Sequence, residues 1–187
     1  MTLTQTVAIA ALIGVSVVTT STYQAGPQRP SGVRQVADSS PVLSPDEEMK
    51  TFVTAPGFRV ELVASEPMIQ DPILIDWDPE GRMWAIELVA YMLDIQASRE
   101  HDPLGRIVVL EDTDDDGRMD KRTVFADGLV LPRALKVLDR GVLVGEPPNL
   151  WLMKDTNGDL KMDAKEVVTD TYGRLDANVE HNANSLL

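Results

Sequence analysis

The 187-residue sequence contains no cysteine, which excludes disulfide bonds and cysteine-ligated metal sites within it. It also lacks a basic stripe, because 17 Lys and Arg residues stand against 30 Asp and Glu residues, for a formal net charge of −13. An acidic surface repels a phosphate backbone, so the composition predicts no binding to nucleic acid. Apolar residues make up 43% of the chain, which is enough for one sizeable buried core.

The N-terminal segment has no charge between residues 2 and 28. Within it, residues 7–18 form an apolar run that is shorter than the roughly 20 residues of a membrane span. No Lys or Arg precedes the run, and no clear small-residue cleavage site follows it. We expect residues 1–25 to be an export signal or an uncleaved anchor, with a misassigned start codon as the alternative. Export would place the protein in the periplasm or cell envelope, where only this segment would contact the membrane.

Residues 26–43 are rich in Pro, Ser, Gly and Gln and predict a flexible linker. The folded part is expected to begin with a short helix that Ser44 caps through a capping box with Glu47, and to leave that helix near residues 55–57. Residues 58–64 then alternate between apolar and polar types, which predicts a half-buried strand.

The remaining pattern predicts two similar units. Each begins with a hairpin, at residues 73–87 and 135–145, and continues with two further strands, at 106–111 and 123–126 and at 149–154 and 166–169. An acidic loop stands between the last two strands of each unit, and the loops open at Asp112 and Asp155, 43 residues apart. A four-stranded unit with this period is typical of a β-propeller blade.

We therefore predict an all-β fold, a β-propeller whose first two blades span about residues 73–127 and 134–170 and whose third begins at 182–187. A pair of hairpins in a sandwich is the alternative. The first unit carries an insert, residues 88–104, between its second and third strands. Because propellers usually have at least four blades, residues 44–187 are expected to be the N-terminal part of a longer propeller.

The two acidic loops are candidate calcium sites, because a hard cation requires oxygen ligands at positions 1, 3, 5, 7 and 9 of a tight loop, with position 7 acting through its backbone carbonyl. The first loop offers Asp112, Asp114, Asp116, Arg118 and Asp120. The second offers Asp155, Asn157, Asp159, Lys161 and Asp163, and adds Glu166 at position 12. The first loop has Thr123 there, so the second is the more complete site. The alternative is that Asp, Asn and Gly recur because they favour turns. Ions here would stiffen a blade edge rather than take part in catalysis.

Several runs of sequence resemble the bacterial membrane-bound dehydrogenase domain family, which is related to PVC-type haem-binding proteins. They are 57–67 (GFRVELVASEP), 78–87 (DPEGRMWAIE) with Tyr91, 110–117 (LEDTDDDG), 124–129 (VFADGL) and 181–184 (HNAN). The resemblance covers residues 44–187 and implies an exported propeller similar to the quinoprotein glucose and sorbosone dehydrogenases. Such a protein would oxidise a sugar or alcohol with calcium and pyrroloquinoline quinone. Electrons would pass to a cytochrome or to a haem c domain that this chain does not contain.

The same resemblance implies roles for individual residues. His181 would be the general base that takes the proton of the substrate hydroxyl, with a structural histidine between blades as the alternative. Glu87, Tyr91, Arg133 and Asn184 are candidates for binding substrate or cofactor, although for Glu87 a buried pairing with Arg133 is the preferred interpretation. His101, in the insert, is expected to be a solvated loop residue. The alternative function is a non-catalytic, calcium-binding propeller that binds carbohydrate or protein.

Overall fold

The computed structural model describes residues 42–176 and 182–186. The described residues from Leu43 onward belong to one compact unit. The predicted signal or anchor, most of the predicted linker and the candidate base His181 lie outside the described residues. Within the part of the chain that is described, no helix is both long and apolar enough to span a membrane.

The fold begins with helix α1, Pro45–Glu48, which Ser44 caps. The Ser44 hydroxyl accepts from the Glu47 N–H at 3.4 Å and the Glu47 carboxylate accepts from the Ser44 N–H at 2.9 Å, so the predicted capping box is confirmed. The helix is shorter than predicted, because only a 3₁₀ turn, Met49–Thr51, follows it. Phe52 is 52% exposed and Val53 is 98% exposed, so further turns would have no buried face to stabilise them.

Eight strands form two four-stranded antiparallel sheets, each with its strands in sequence order. The predicted hairpins and the strands that flank the acidic loops are confirmed. The first sheet consists of β1 Pro72–Trp77, β2 Met83–Glu87, β3 Gly105–Glu111 and β4 Lys121–Leu129. The second consists of β5 Ala134–Leu138, β6 Gly141–Glu146, β7 Asn149–Lys154 and β8 Ala164–Thr169.

The two sheets pack on each other over a shared apolar core. Alternate side chains of a strand point to one face, so the apolar residues of every second position meet here. Trp84 and Phe125 make an edge-to-face contact with ring centres 4.8 Å apart, and Met153 from the second sheet belongs to the same cluster. Asp76 of β1 also joins the sheets, because its carboxylate accepts from the Val137 N–H at 2.8 Å.

The predicted strand at residues 58–64 is wrong. Among the described residues this segment pairs with no other strand, and Phe58 is 76% exposed. Val63 and Ala64 nevertheless pack on the free face of the first sheet, and the Val63 carbonyl accepts from the Met119 N–H at 2.8 Å. Alternation indicates which face of a segment is apolar, but a strand also needs a neighbour for its backbone groups.

Candidate functional site

Three of the residues predicted to bind substrate or cofactor line one cavity of about 540 Å³. Tyr91 comes from the connection after β2, Arg133 from the residue before β5, and Asn184 from the C-terminal segment. The remaining wall is formed by the start of β1, the residue after β2 and the neighbour of Asn184: Ile73, Leu74, Leu88 and Ser185. Because β1 and β2 are antiparallel, the start of β1 and the end of β2 lie at the same end of the first sheet, and residues distant in sequence meet there.

Arg133 is the charged residue of this cavity. It is only 9% exposed, and its backbone is held at both ends: its N–H donates to the Gly145 carbonyl at 2.7 Å and its carbonyl accepts from the Ser185 N–H at 3.0 Å. Its Nε is buried and has no hydrogen-bond partner among the described residues. No carboxylate of that part of the chain forms an ion pair with it either. A buried cation without a partner is costly, so this side chain is the one most in need of a ligand.

Glu87 does not pair with Arg133, so that expectation is wrong. Its carboxylate is fully buried and contacts Arg122 Nη2 at 3.0 Å and Arg106 Nε at 3.4 Å, and it accepts from the Gln70 N–H at 3.0 Å. The physical reason is strand register, because Glu87 lies directly opposite Arg106 in the β2–β3 pair. Glu87 therefore joins strands of the first sheet and does not line the cavity.

The two acidic loops share one hydrogen-bond pattern. In the first, Asp112 accepts from the Gly117 N–H at 2.8 Å. In the second, Asp155 accepts from the Leu160 N–H, the equivalent position, at 2.7 Å. Positive φ angles recur at positions 4 and 6 of both loops: Asp115 (60°), Gly117 (90°), Gly158 (83°) and Leu160 (59°). Since Gly stands at a different one of these positions in each loop, the common geometry is not a consequence of one shared glycine.

Position 9 of each loop closes the turn. Asp120 accepts from the Thr113 N–H at 3.2 Å and the Thr113 hydroxyl at 2.8 Å. Asp163 accepts in the same way from Thr156, at 3.1 and 2.7 Å. These carboxylates therefore already have a structural role. Oδ1 of each accepts only one of these bonds and keeps a second lone pair for an ion, whereas Oδ2 of Asp163 accepts two.

The first loop holds the denser set of carboxylates. Asp112, Asp114 and Asp116 each offer an oxygen atom, and these atoms lie within 4.8 Å of one another. The negative charge of Asp116 is the main cause of a raised pKa for Asp114, which means that the carboxylates repel each other. A bound cation would remove that repulsion. The side chain of Arg118 pairs with Asp46 at 3.5 Å.

The second loop repeats part of this pattern. Asp159 Oδ1 accepts from the Lys161 N–H at 3.0 Å, as Asp116 Oδ1 accepts from the Arg118 N–H at 2.8 Å, and Asn157 Oδ1 accepts from the Asp159 N–H at 3.0 Å. Glu166, predicted at position 12, lies in β8 and pairs with Lys154 at 3.1 Å. The loop thus satisfies its polar atoms internally to a larger extent than the first loop does.

A family model described as "Domain of unknown function (DUF7133)" matches residues 44–187. The chain belongs to this family. The match begins at the helix cap Ser44 and includes both sheets, both acidic loops and the cavity residues Tyr91, Arg133 and Asn184. The description of the DUF7133 family names no activity. No curated protein matches the chain significantly.

A second cavity of the DUF7133 domain, of about 590 Å³, lies beside the hairpin turns and includes Asp78. Sequence reasoning did not single out this buried carboxylate. Its oxygens accept from Arg82 Nε at 2.6 Å, from Trp84 Nε1 at 2.8 Å and from the N–H groups of Glu80 and Arg82. Asp78 is therefore fully used in holding the first hairpin turn. His101, in the connection after β2, is exposed as expected.

Proposed function

We propose that this DUF7133 domain belongs to an exported quinoprotein-like dehydrogenase that binds a sugar or alcohol in the cavity lined by Tyr91, Arg133 and Asn184. The observation that supports the proposal is the meeting of these three residues, each selected from sequence, in one cavity. Its volume of about 540 Å³ lies in the range of small-molecule sites. Apolar walls with a few convergent polar groups are also the usual composition of such sites.

We also propose that the two sheets are blades of a β-propeller. The support is a repeated contact between successive units. The Met162 N–H of the second acidic loop donates to the Phe125 carbonyl of β4 at 2.7 Å, and the Met119 N–H of the first loop donates to the Val63 carbonyl at 2.8 Å. Residues around Val63 therefore contact the first sheet as β4 contacts the second. A repeated stacking contact of this kind is expected of blades, since each blade packs on its neighbour.

The cavity is assigned to the substrate and not to the quinone. Pyrroloquinoline quinone is a tricarboxylate, whereas Arg133 is the one cation among the described residues that line the cavity. The described cavity residues therefore offer too few positive charges to pair with the three carboxylates of the quinone. Within the proposal, Arg133 and Asn184 bind and orient the substrate, and His181 takes the hydroxyl proton.

The test is dye reduction by the intact protein with pyrroloquinoline quinone and calcium, over a panel of sugars and alcohols. We expect quinone-dependent turnover that His181→Ala lowers by about 10²- to 10⁴-fold, the usual contribution of a general base. His101→Ala is the matched control, since that histidine is exposed in a connection, and it should leave turnover unchanged. Absence of dye reduction with every substrate, in protein shown to be folded, would exclude the dehydrogenase.

A second candidate function is a calcium-stabilised scaffold that binds carbohydrate or protein without turnover. The observation that favours it is the cluster of Asp112, Asp114 and Asp116. For a dissociation constant of about 0.1 mM, 1 mM calcium would stabilise the fold by about 1.4 kcal/mol, which raises Tm by roughly 3–6 °C.

Asp114→Asn tests the site by the stability of the variant relative to the wild type, measured without and with calcium. Without calcium the variant should be at least as stable as the wild type, because the raised pKa of Asp114 reflects repulsion that the amide removes. With calcium it should gain less than the wild type does. Asp127→Asn, at an exposed position of β4, is the control and should respond to calcium like the wild type. Equal calcium responses of the wild type and Asp114→Asn would contradict the assigned site.

A further inference from the structure

We propose that the cavity binds a monoanionic sugar acid such as a uronate, and that Arg133 binds its carboxylate. The inference rests on the proposed function, because it names the substrate class of the same site. It begins from Arg133, a residue that is only 9% exposed and whose Nε is buried without a hydrogen-bond partner among the described residues. A protein gains nothing by burying such a cation unless an anion joins it.

Two acids at the ends of β2 and β6 already have partners. Glu87 holds Arg106 and Arg122 and accepts from the Gln70 N–H. The carboxylate of Glu146, at the end of β6, accepts from Trp151 Nε1 at 2.9 Å and from the Val130 N–H at 2.8 Å. Neither acid forms an ion pair with Arg133, so its positive charge has no carboxylate partner in the part of the chain that the structure describes.

The lining limits the ligand to one negative group of suitable shape. Arg133 is the single charged residue among the described residues of the wall, so a polyanion would leave charges unpaired. A guanidinium binds a carboxylate through two parallel hydrogen bonds, which also orients the ligand.

The rest of the wall favours a small hydroxylated molecule over a purely apolar acid. Ile73, Leu74 and Leu88 present aliphatic surface, Tyr91 adds an aromatic ring, and the exposed amide of Asn184 offers both a donor and an acceptor. Hydroxyl groups on one side and a carbon skeleton on the other are the features of a sugar ring. A sugar acid therefore matches the charge, the polarity and the volume of the cavity together.

The experiment is calorimetric titration of the full chain with glucuronate, and with glucose and inorganic phosphate as comparison ligands. Glucuronate should bind, glucose should bind at least about 30-fold more weakly, and Arg133→Met should lose at least about 30-fold in affinity for glucuronate, the usual loss when a buried hydrogen-bonded charge is removed. Arg140→Met, in the exposed turn between β5 and β6, is the matched control and should retain affinity.

Folding of the variant gives a second measurement. Because Arg133 has no carboxylate partner within residues 42–176 and 182–186, Arg133→Met without ligand should be at least as stable as the wild type, whereas replacement of a paired arginine would destabilise the fold. Equal affinities for glucose and glucuronate, or full glucuronate binding by Arg133→Met, would refute the inference. Tighter binding of phosphate than of glucuronate would overturn the assignment to a carboxylate.

The outcomes also separate this inference from the proposed function. If glucuronate binds through Arg133 but no dye is reduced, the sugar-acid site stands and the dehydrogenase fails. If neutral sugars are oxidised while sugar acids neither bind nor react, the dehydrogenase stands and the sugar-acid site fails.

Discussion

Replacement of Glu87 by glutamine should destabilise the fold strongly while leaving the cavity intact. The carboxylate is fully buried and contacts two guanidinium groups and one backbone N–H. An amide keeps one acceptor but loses the charge, so Arg106 and Arg122 would face each other without a counterion. Breaking a buried ion pair costs about 3–5 kcal/mol. The two arginine side chains are 29% and 24% exposed and can rehydrate in part, so we expect the lower value, about 3 kcal/mol.

Urea unfolding measures this loss. With an m value of about 2 kcal/mol/M, a loss of about 3 kcal/mol lowers the midpoint by about 1.5 M. Glu166→Gln makes the same chemical change in the Lys154 pair, whose side chains are 59% and 33% exposed, and should cost less than about 0.5 kcal/mol. The reasoning would be refuted by a midpoint for Glu87→Gln that matches that of Glu166→Gln. Glucuronate affinity should be the same in both variants, since neither residue lines the cavity.

Two further substitutions test local features by urea unfolding. Asp78→Asn should cost about 2 kcal/mol, because Arg82 and Trp84 lose a charged acceptor, whereas Asp139→Asn in the exposed second turn should cost less than about 0.5 kcal/mol. Burial alone would raise the pKa of Asp78, but hydrogen bonds from Trp84 and Arg82 outweigh it and lower the pKa. Asp78 therefore contributes its full stabilisation above the unfolded pKa of about 3.9. The difference in free energy of unfolding between wild type and Asp78→Asn should shrink as pH falls below about 4. A difference that stays constant with pH would contradict this assignment. Asp115→Gly should stabilise the fold by about 0.5–1 kcal/mol, because the φ of 60° at Asp115 suits glycine. A loss of stability would show that Asp115 is not strained in this conformation.

Local patterns were sufficient to predict most of the secondary structure. The capping box at Ser44, both hairpins and the strands around the acidic loops are present close to the predicted bounds. Each of these features depends on residues that are near one another in sequence. The prediction failed at residues 58–64, where the apolar alternation was real but no described strand pairs with the segment.

The sequence by itself also determined the acidic loops, because their turns are made by side chains that bond to backbone groups within a few residues. Only the tertiary structure decided which charges meet. Strand register places Arg106 opposite Glu87, and Arg133 then has no carboxylate beside it among the described residues of the cavity wall. Register and packing depend on contacts between distant segments, and neither a periodic pattern nor a motif specifies which of several arginines a buried acid will reach.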